Sequence, residues 1–209
     1  LHQHSLCLIN VTAGDLMQGG NGLAGVPGKE IEFHHALELA IRYATALNVP
    51  SVNILAGKQP VDADLLPCLN TLAENLKLAC SMLTQHHIQP VFEMINGTDM
   101  PRFLVQNIAQ AQEMLEAVKH PALKMQYDCY HMAMMGEDVL SALQENIQDI
   151  GHIQFADNPG RHEPDSGELD YTTIFKWLQH SAYSGYIAAE YRPSLASNQS
   201  FAWKDKYFP

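Results

Sequence analysis

A chain of 209 residues, 46% hydrophobic and 17% charged, carries enough apolar material for one sizeable core and fits a single domain over residues 1–209. Its net charge of −11, with only 12 Lys and Arg together, leaves no basic stripe of the kind that binds nucleic acid. No apolar run reaches the ~18 residues needed to cross a bilayer, so a membrane is not an expected partner either.

The first strand-like run is SLCLIN, residues 5–10. The motif GNGLAG, residues 20–25, follows it and matches the G-x-G-x-x-G dinucleotide fingerprint. That fingerprint works only in the tight turn between a strand and its helix. Here the motif starts ten residues after Asn10, and VPGKE still intervenes before the next helix. The expectation is a long strand-end loop and no nucleotide cofactor.

Residues 30–48 place Phe33, Leu37, Ala40, Ile41, Ala44 and Leu47 at helical spacing. SVNILAG, residues 51–57, is the second strand-like run. A helix over 62–87 carries Leu65, Leu69, Leu72, Leu76, Cys80 and Leu83, with Asp62 as a candidate N-cap. Pro67 is tolerated only in its first turn. QPVFEMIN, residues 89–96, reads as a strand, and residues 101–119 as a helix through Leu104, Ile108, Ala111, Leu115 and Val118.

LKMQYD (123–128), GHIQFAD (151–157) and YIAAEY (186–191) are three further strand-like runs. Helices fit 137–149 and 170–181 between them, the second with Asp170 as its N-cap. His34, His35, His86, His87 and His120 fall on helices or their ends and are expected at the surface. Cys7, Cys68, Cys80 and Cys129 form no CxxC pair; they are expected to be reduced and mostly buried, in a cytoplasmic protein.

Brief apolar runs alternating with helices predict an α/β fold with a parallel sheet. The two candidates are an open doubly wound sheet and a (β/α)8 TIM barrel. A barrel takes about 31 residues per strand–helix unit, so six units need roughly 190, near the length here. Six strands do not satisfy eight-strand closure. A barrel reading therefore implies that about the first two units are missing before Leu1, and that this length of chain alone is inactive.

In a barrel the active site gathers at the C-terminal strand ends. Those ends supply Glu93 and Asn96, Asp128 and His131, then His152, Gln154 and Asp157, and finally Glu190 and Arg192. A carboxylate among apolar neighbours is costly to bury ionised unless it is paired or holds a cation. Glu93, Asp128, Gln154 and Glu190 together would offer an all-oxygen shell to a divalent metal, with Mg2+ or Mn2+ favoured over zinc. Such a cation polarises a carbonyl and acidifies the adjacent C–H, and two carboxylates can then shuttle the proton. Arg161 and Arg192 are the candidates for holding an acidic substrate.

These pieces resemble the hydroxypyruvate isomerase family of xylose-isomerase-like TIM barrels, some of whose members look like 2-oxo-tetronate isomerases. The resemblance runs through GLAGVPGKE (22–30), NILAG (53–57), FEMIN (92–96), YDCYHM (127–132), HIQFADNPGRHEPDSGELDY (152–171) and AAEYRP (188–193). It implies metal binding by Glu93, Asp128, Gln154 and Glu190, with Glu93 and Glu190 as the acid–base pair. In related sugar epimerases the positions of His131 and Arg161 touch the substrate. Asn96 and Arg192 are added here as substrate contacts. At the position of Gln154 those epimerases commonly carry histidine, a departure that favours the harder oxygen shell. Met94 stands where the family often has proline or a small residue.

The reading that follows is a metal-dependent isomerase of a small hydroxy-oxo acid, moving a proton through an enediolate. The alternatives are a ketose 3-epimerase on neutral sugars and a non-catalytic barrel fragment that binds a ligand or partner. A metal-dependent nuclease is opposed by the charge of −11. Assembly into a homo-oligomer stays open.

Overall fold

The computed structural model describes residues 5–208, which pack as two compact units, one ending at Gln126 and the other starting at Tyr127. The first contains β1 (Leu8–Asn10), α1 (Glu30–Leu47), β2 (Ser51–Ile54), α2 (Leu65–Thr84), β3 (Gln89–Glu93), α3 (Ile108–Val118) and most of β4 (Lys124–Asp128). Strands β1, β2, β3 and β4 pair in that order, all parallel. Every residue of β2 is buried, and only Gln89 of β3 is not, as expected of strands covered on both faces. The helices explain the cover. On α1, Phe33, Leu37, Ala40, Ile41 and Ala44 are buried at three- and four-residue intervals, while Tyr43 and Leu47 face outward.

The second unit holds the end of β4, α4 (Cys129–Met134), α5 (Val139–Asn146), β5 (Ile150–Phe155), α6 (Tyr171–His180), β6 (Ile187–Ala189) and α7 (Ala202–Tyr207). Strands β5 and β6 are parallel, with Gln154 beside Ala188. Phe175 is the centre of its apolar packing. Ring centroids of Phe155, Tyr171, Tyr207 and Phe208 all lie 5.0–5.1 Å from it. Trp203 adds an edge contact to Phe155 at 5.3 Å, so α7 is held by aromatic packing.

Several expectations shift by a few residues, each for a local reason. Helix α2 starts at Leu65, with Asp64 rather than Asp62 at its N-cap position; Pro67 falls in the first turn, where its missing N–H costs nothing. The helix expected from residue 101 starts only at Ile108, capped by the Asn107 side chain on Gln110 N. The preceding residues are tied elsewhere: Phe103 bridges Lys58, Leu104 N donates to Gly57 O, and Ile95 N donates to Val105 O. Asp170 caps α6 as expected, its carboxylate accepting from Thr173 N and Oγ1. Helices α4 and α7, six residues each, are too short to show a helical period in the sequence.

The glycine-rich loop folds onto its own unit. Asp15 accepts from Gly22 N, and Lys58 N donates to Asn21 O beside Gly57. Gly57 has a φ of +84°, and a Cβ there would stand 2.6 Å from Asn21 O, so no larger residue fits this approach. Cys68, Cys80 and Cys129 are buried and Cys7 is half-buried, all four as free thiols. No helix among the described residues is long and apolar enough to cross a membrane.

Candidate active site

In the first unit the chemistry centres on Glu93, the last residue of β3 and 6% exposed. Asn53 of β2 donates from Nδ2 to Glu93 Oε2 at 3.1 Å, and from the same nitrogen to Asn10 Oδ1 of β1, also at 3.1 Å. Three neighbouring strands thus contribute one polar side chain each to a single ladder. Asn96, three residues past Glu93, is fully buried and closes its own turn: its Oδ1 accepts from Thr98 N and Asp99 N, and its Nδ2 donates to Asp99.

In the second unit Asp128 ends β4 and has no exposed surface. Its Oδ1 accepts from Tyr130 N at 2.8 Å and so caps α4. Its Oδ2 is buried and makes no hydrogen bond with the described residues. Arg161 Nη2 stands 3.7 Å from that oxygen and His131 Nε2 3.8 Å from it. Burial, and then the neighbouring Glu190 carboxylate, push the Asp128 carboxyl up to about 7 against the opposing pull of Arg161. His131 lies on α4 and is 2% exposed, so it is part of the packed interior rather than of a loop.

Arg161 has a left-handed backbone at φ 56°, an uncommon conformation for a side chain of this size. The turn 157–162 enforces it, with Arg161 N donating to Asp157 O and Asp157 N to His162 O. Its guanidinium sits 5.0 Å from the Tyr130 ring centroid and donates to Glu190 Oε2 at 2.7 Å. Glu190 follows β6 and is half-exposed, its side chain at 50%; the expectation of a carboxylate shut among apolar residues does not hold there. The reason is local: β6 is three residues long, and none of them is fully buried.

The same loop is secured at both of its other acids. Glu163 accepts from Ser194 N at 3.0 Å and Oγ at 2.5 Å, and Asp165 accepts from Lys206 Nζ and Tyr207 Oη. Arg192 joins it through its backbone, donating to Arg161 O and accepting from His162 Nδ1, while its side chain points to solvent. Gln154 is half-buried on β5, two residues after His152, whose imidazole burial pulls down to about 4 and keeps neutral.

The second unit therefore brings together Asp128, His131, Arg161 and Glu190, and leaves the Arg192 side chain outside that cluster. Sequence reasoning missed two members: Tyr130, beneath Arg161, and Asn53, against Glu93. Asn53 did carry a signal, as an amide in mid-strand between Val52 and Ile54.

The chain matches the xylose isomerase-like TIM barrel family over residues 2–207. It belongs to that family. It is 38% identical to hydroxypyruvate isomerase of Escherichia coli over 200 residues, 96% of this chain and 78% of the relative. It is 36% identical to 2-oxo-tetronate isomerase of Cupriavidus necator, over 96% of this chain and 77% of that one. The crystal structure of a family 2 AP endonuclease from Brucella melitensis superimposes with a TM-score of 0.93 at 30% identity, over 99% of this chain and 80% of that one. Of the two α/β candidates that the strand–helix alternation left open, the TIM barrel that the resemblance implied is the fold found, and the chain is hydroxypyruvate isomerase-like along nearly its whole length.

Proposed function

We propose that the protein is a metal-dependent isomerase of a small hydroxy-oxo acid, interconverting hydroxypyruvate and tartronate semialdehyde or acting on a 2-oxo-tetronate. The observation that carries this is the Asp128–Arg161–Glu190 cluster. A fully buried carboxylate keeps one oxygen without a hydrogen bond, beside an arginine already paired to a second carboxylate. A divalent cation fits that donor set. It would give a bond to the Asp128 oxygen that has no hydrogen bond, and the carboxylates are hard ligands of the type Mg2+ and Mn2+ prefer.

Glu93, Asp128, Gln154 and Glu190 are the proposed ligands, with His131 beside Asp128. A bound cation would polarise the substrate carbonyl and so acidify the neighbouring C–H. Glu93 and Glu190 are the proposed acid–base pair: the ionised one removes the proton from the hydroxyl-bearing carbon, the other, protonated, delivers one to the former carbonyl carbon, and the hydroxyl proton passes to the former carbonyl oxygen, so the two glutamates end with their protonation states exchanged. The substrate passes through an enediolate between the two steps. Asn53 donates to Glu93 and Arg161 donates to Glu190, so each carboxylate is held by a donor from its own unit. Arg161 has donors besides the one on Glu190, and these suit the substrate carboxylate. His131, Asn96 and Arg192 complete the proposed substrate contacts.

The test is turnover of hydroxypyruvate and 2-oxotetronate against ketoses such as fructose by the full-length protein, with metal content measured on the same samples. Acid turnover with Mg2+ or Mn2+, and its loss together with weakened metal binding in Glu190→Gln, is the expected result. Unchanged activity in Glu190→Gln removes that residue from the mechanism, and preferential turnover of ketoses overturns the substrate class.

A further inference from the structure

Asn53 is fully buried in the middle of β2, a strand whose residues are all buried. An amide is poorly suited to that place. A β-branched apolar residue would pack as well without the cost of desolvating a polar group. Asn53 Oδ1 makes that cost explicit, because it is buried and finds no hydrogen-bond donor among the described residues. What the amide does achieve lies at Nδ2, which reaches Glu93 Oε2 and Asn10 Oδ1, each at 3.1 Å.

The orientation of this amide follows from its partners. The Asn53 donor faces Glu93, whose Oε2 accepts from it. The second hydrogen of the same nitrogen then goes to Asn10, which pins the amide from the opposite side. A glutamate has three rotatable bonds before its carboxylate, and the β3 backbone restricts the first without setting the direction of the carboxylate. A donor from the neighbouring strand is what selects one arrangement.

We propose that Asn53 is the positioning residue for Glu93. Its amide sets the direction of the Glu93 carboxylate, and Asn10 fixes that amide in turn. The inference rests on the reading of Glu93 as a proton-transfer group. It adds that the orientation of that group comes from β1 and β2 rather than from β3 alone.

The test compares the full-length wild type with Asn53→Leu, near in shape but without a donor, and with Asn10→Ala at an exposed position. Turnover of hydroxypyruvate is expected to show kcat down about 10- to 100-fold in Asn53→Leu, the scale of a ~1 Å misplacement, with KM little changed. Asn10→Ala is expected to lose less, roughly threefold to tenfold in kcat, because one of the two anchors remains. A crystal structure of Asn53→Leu should show the Glu93 carboxylate moved or spread over several rotamers. A merely structural role for Asn53 would lower the melting temperature and leave Glu93 in place. A Glu93 carboxylate unmoved in that structure, or kcat within twofold of wild type in both variants, overturns the inference. If Asn53→Leu does not fold, Asn10→Ala carries the same two measurements. If the wild type turns over neither acid, the functional reading falls, while the position of Glu93 in the variant structure still decides this one.

Discussion

Arg161 donates to Glu190 at 2.7 Å while the same guanidinium nitrogen stands 3.7 Å from the buried oxygen of Asp128. One cation thus faces two carboxylates, one half-exposed and one with no exposed surface. Arg161→Ala is expected to raise KM for an acidic substrate about tenfold or more, the size of one lost charge-assisted hydrogen bond, and to leave KM for a neutral ketose nearly unchanged. Equal changes for both substrates in steady-state kinetics would mean that Arg161 does not contact the acid group.

Cation binding should depend on pH through Asp128. With its carboxyl pushed up to about 7, the residue is protonated over much of the weakly acidic range, and a cation must displace that proton. Apparent Mn2+ affinity is expected to fall about tenfold per pH unit below 7 and to level off above it. Titration of Mn2+ by electron paramagnetic resonance from pH 5 to 8 measures the slope, and a flat profile would exclude Asp128 as the group displaced. In the metal-free protein the sign for stability is set by the same shift. The folded state binds more protons than the unfolded chain between the ordinary carboxylate range and about 7, so this residue's contribution is lost as pH rises through about 7.

His152 acts in the opposite direction. Burial lowers it from 6.5 to about 4, so between those values the unfolded chain holds the extra proton. Its contribution to stability is present above about 6.5 and is lost as pH falls towards 4, by up to about 3 kcal/mol. Urea melts at pH 7 and pH 4.5 should show a smaller acid loss in His152→Leu than in the wild type. Parallel losses in the two proteins would count against this residue as the source.

Phe175 carries the aromatic packing that holds α7, touching Tyr207 and Phe208 as well as Phe155 and Tyr171. Phe175→Ala should cost about 3–5 kcal/mol by opening a cavity among these rings. Hydrogen exchange should quicken first across residues 202–207, before α1 and α2 change. Unaltered protection in α7 would show that another contact holds it.

The positions of β2, β3 and β4 were readable from brief apolar runs because a strand buried on both faces has no polar side to interrupt it. The start of α3 was not readable. Leu104 falls in helical step with Ile108, yet it is held by a hydrogen bond to Gly57, a contact 47 positions away that no periodicity carries. Glu93, Asp128 and Glu190 stood out as acids after apolar runs, and that pattern correctly anticipated burial for the first two. It failed for Glu190 because exposure there depends on what flanks a three-residue strand rather than on the strand's own residues.

By itself the sequence determined the alternation of strands and helices, the α/β class and the acids worth attention, since local spacing and residue type carry that information along the chain. Only the tertiary structure decided which side chains meet. Asn53 reaches Glu93 across 40 positions, and Arg161 reaches Glu190 across 29. The direction of a carboxylate, the protonation of Asp128 and the conformation of Arg161 all follow from such contacts. They depend on distance and local dielectric in space, and neither quantity is written in the order of the residues.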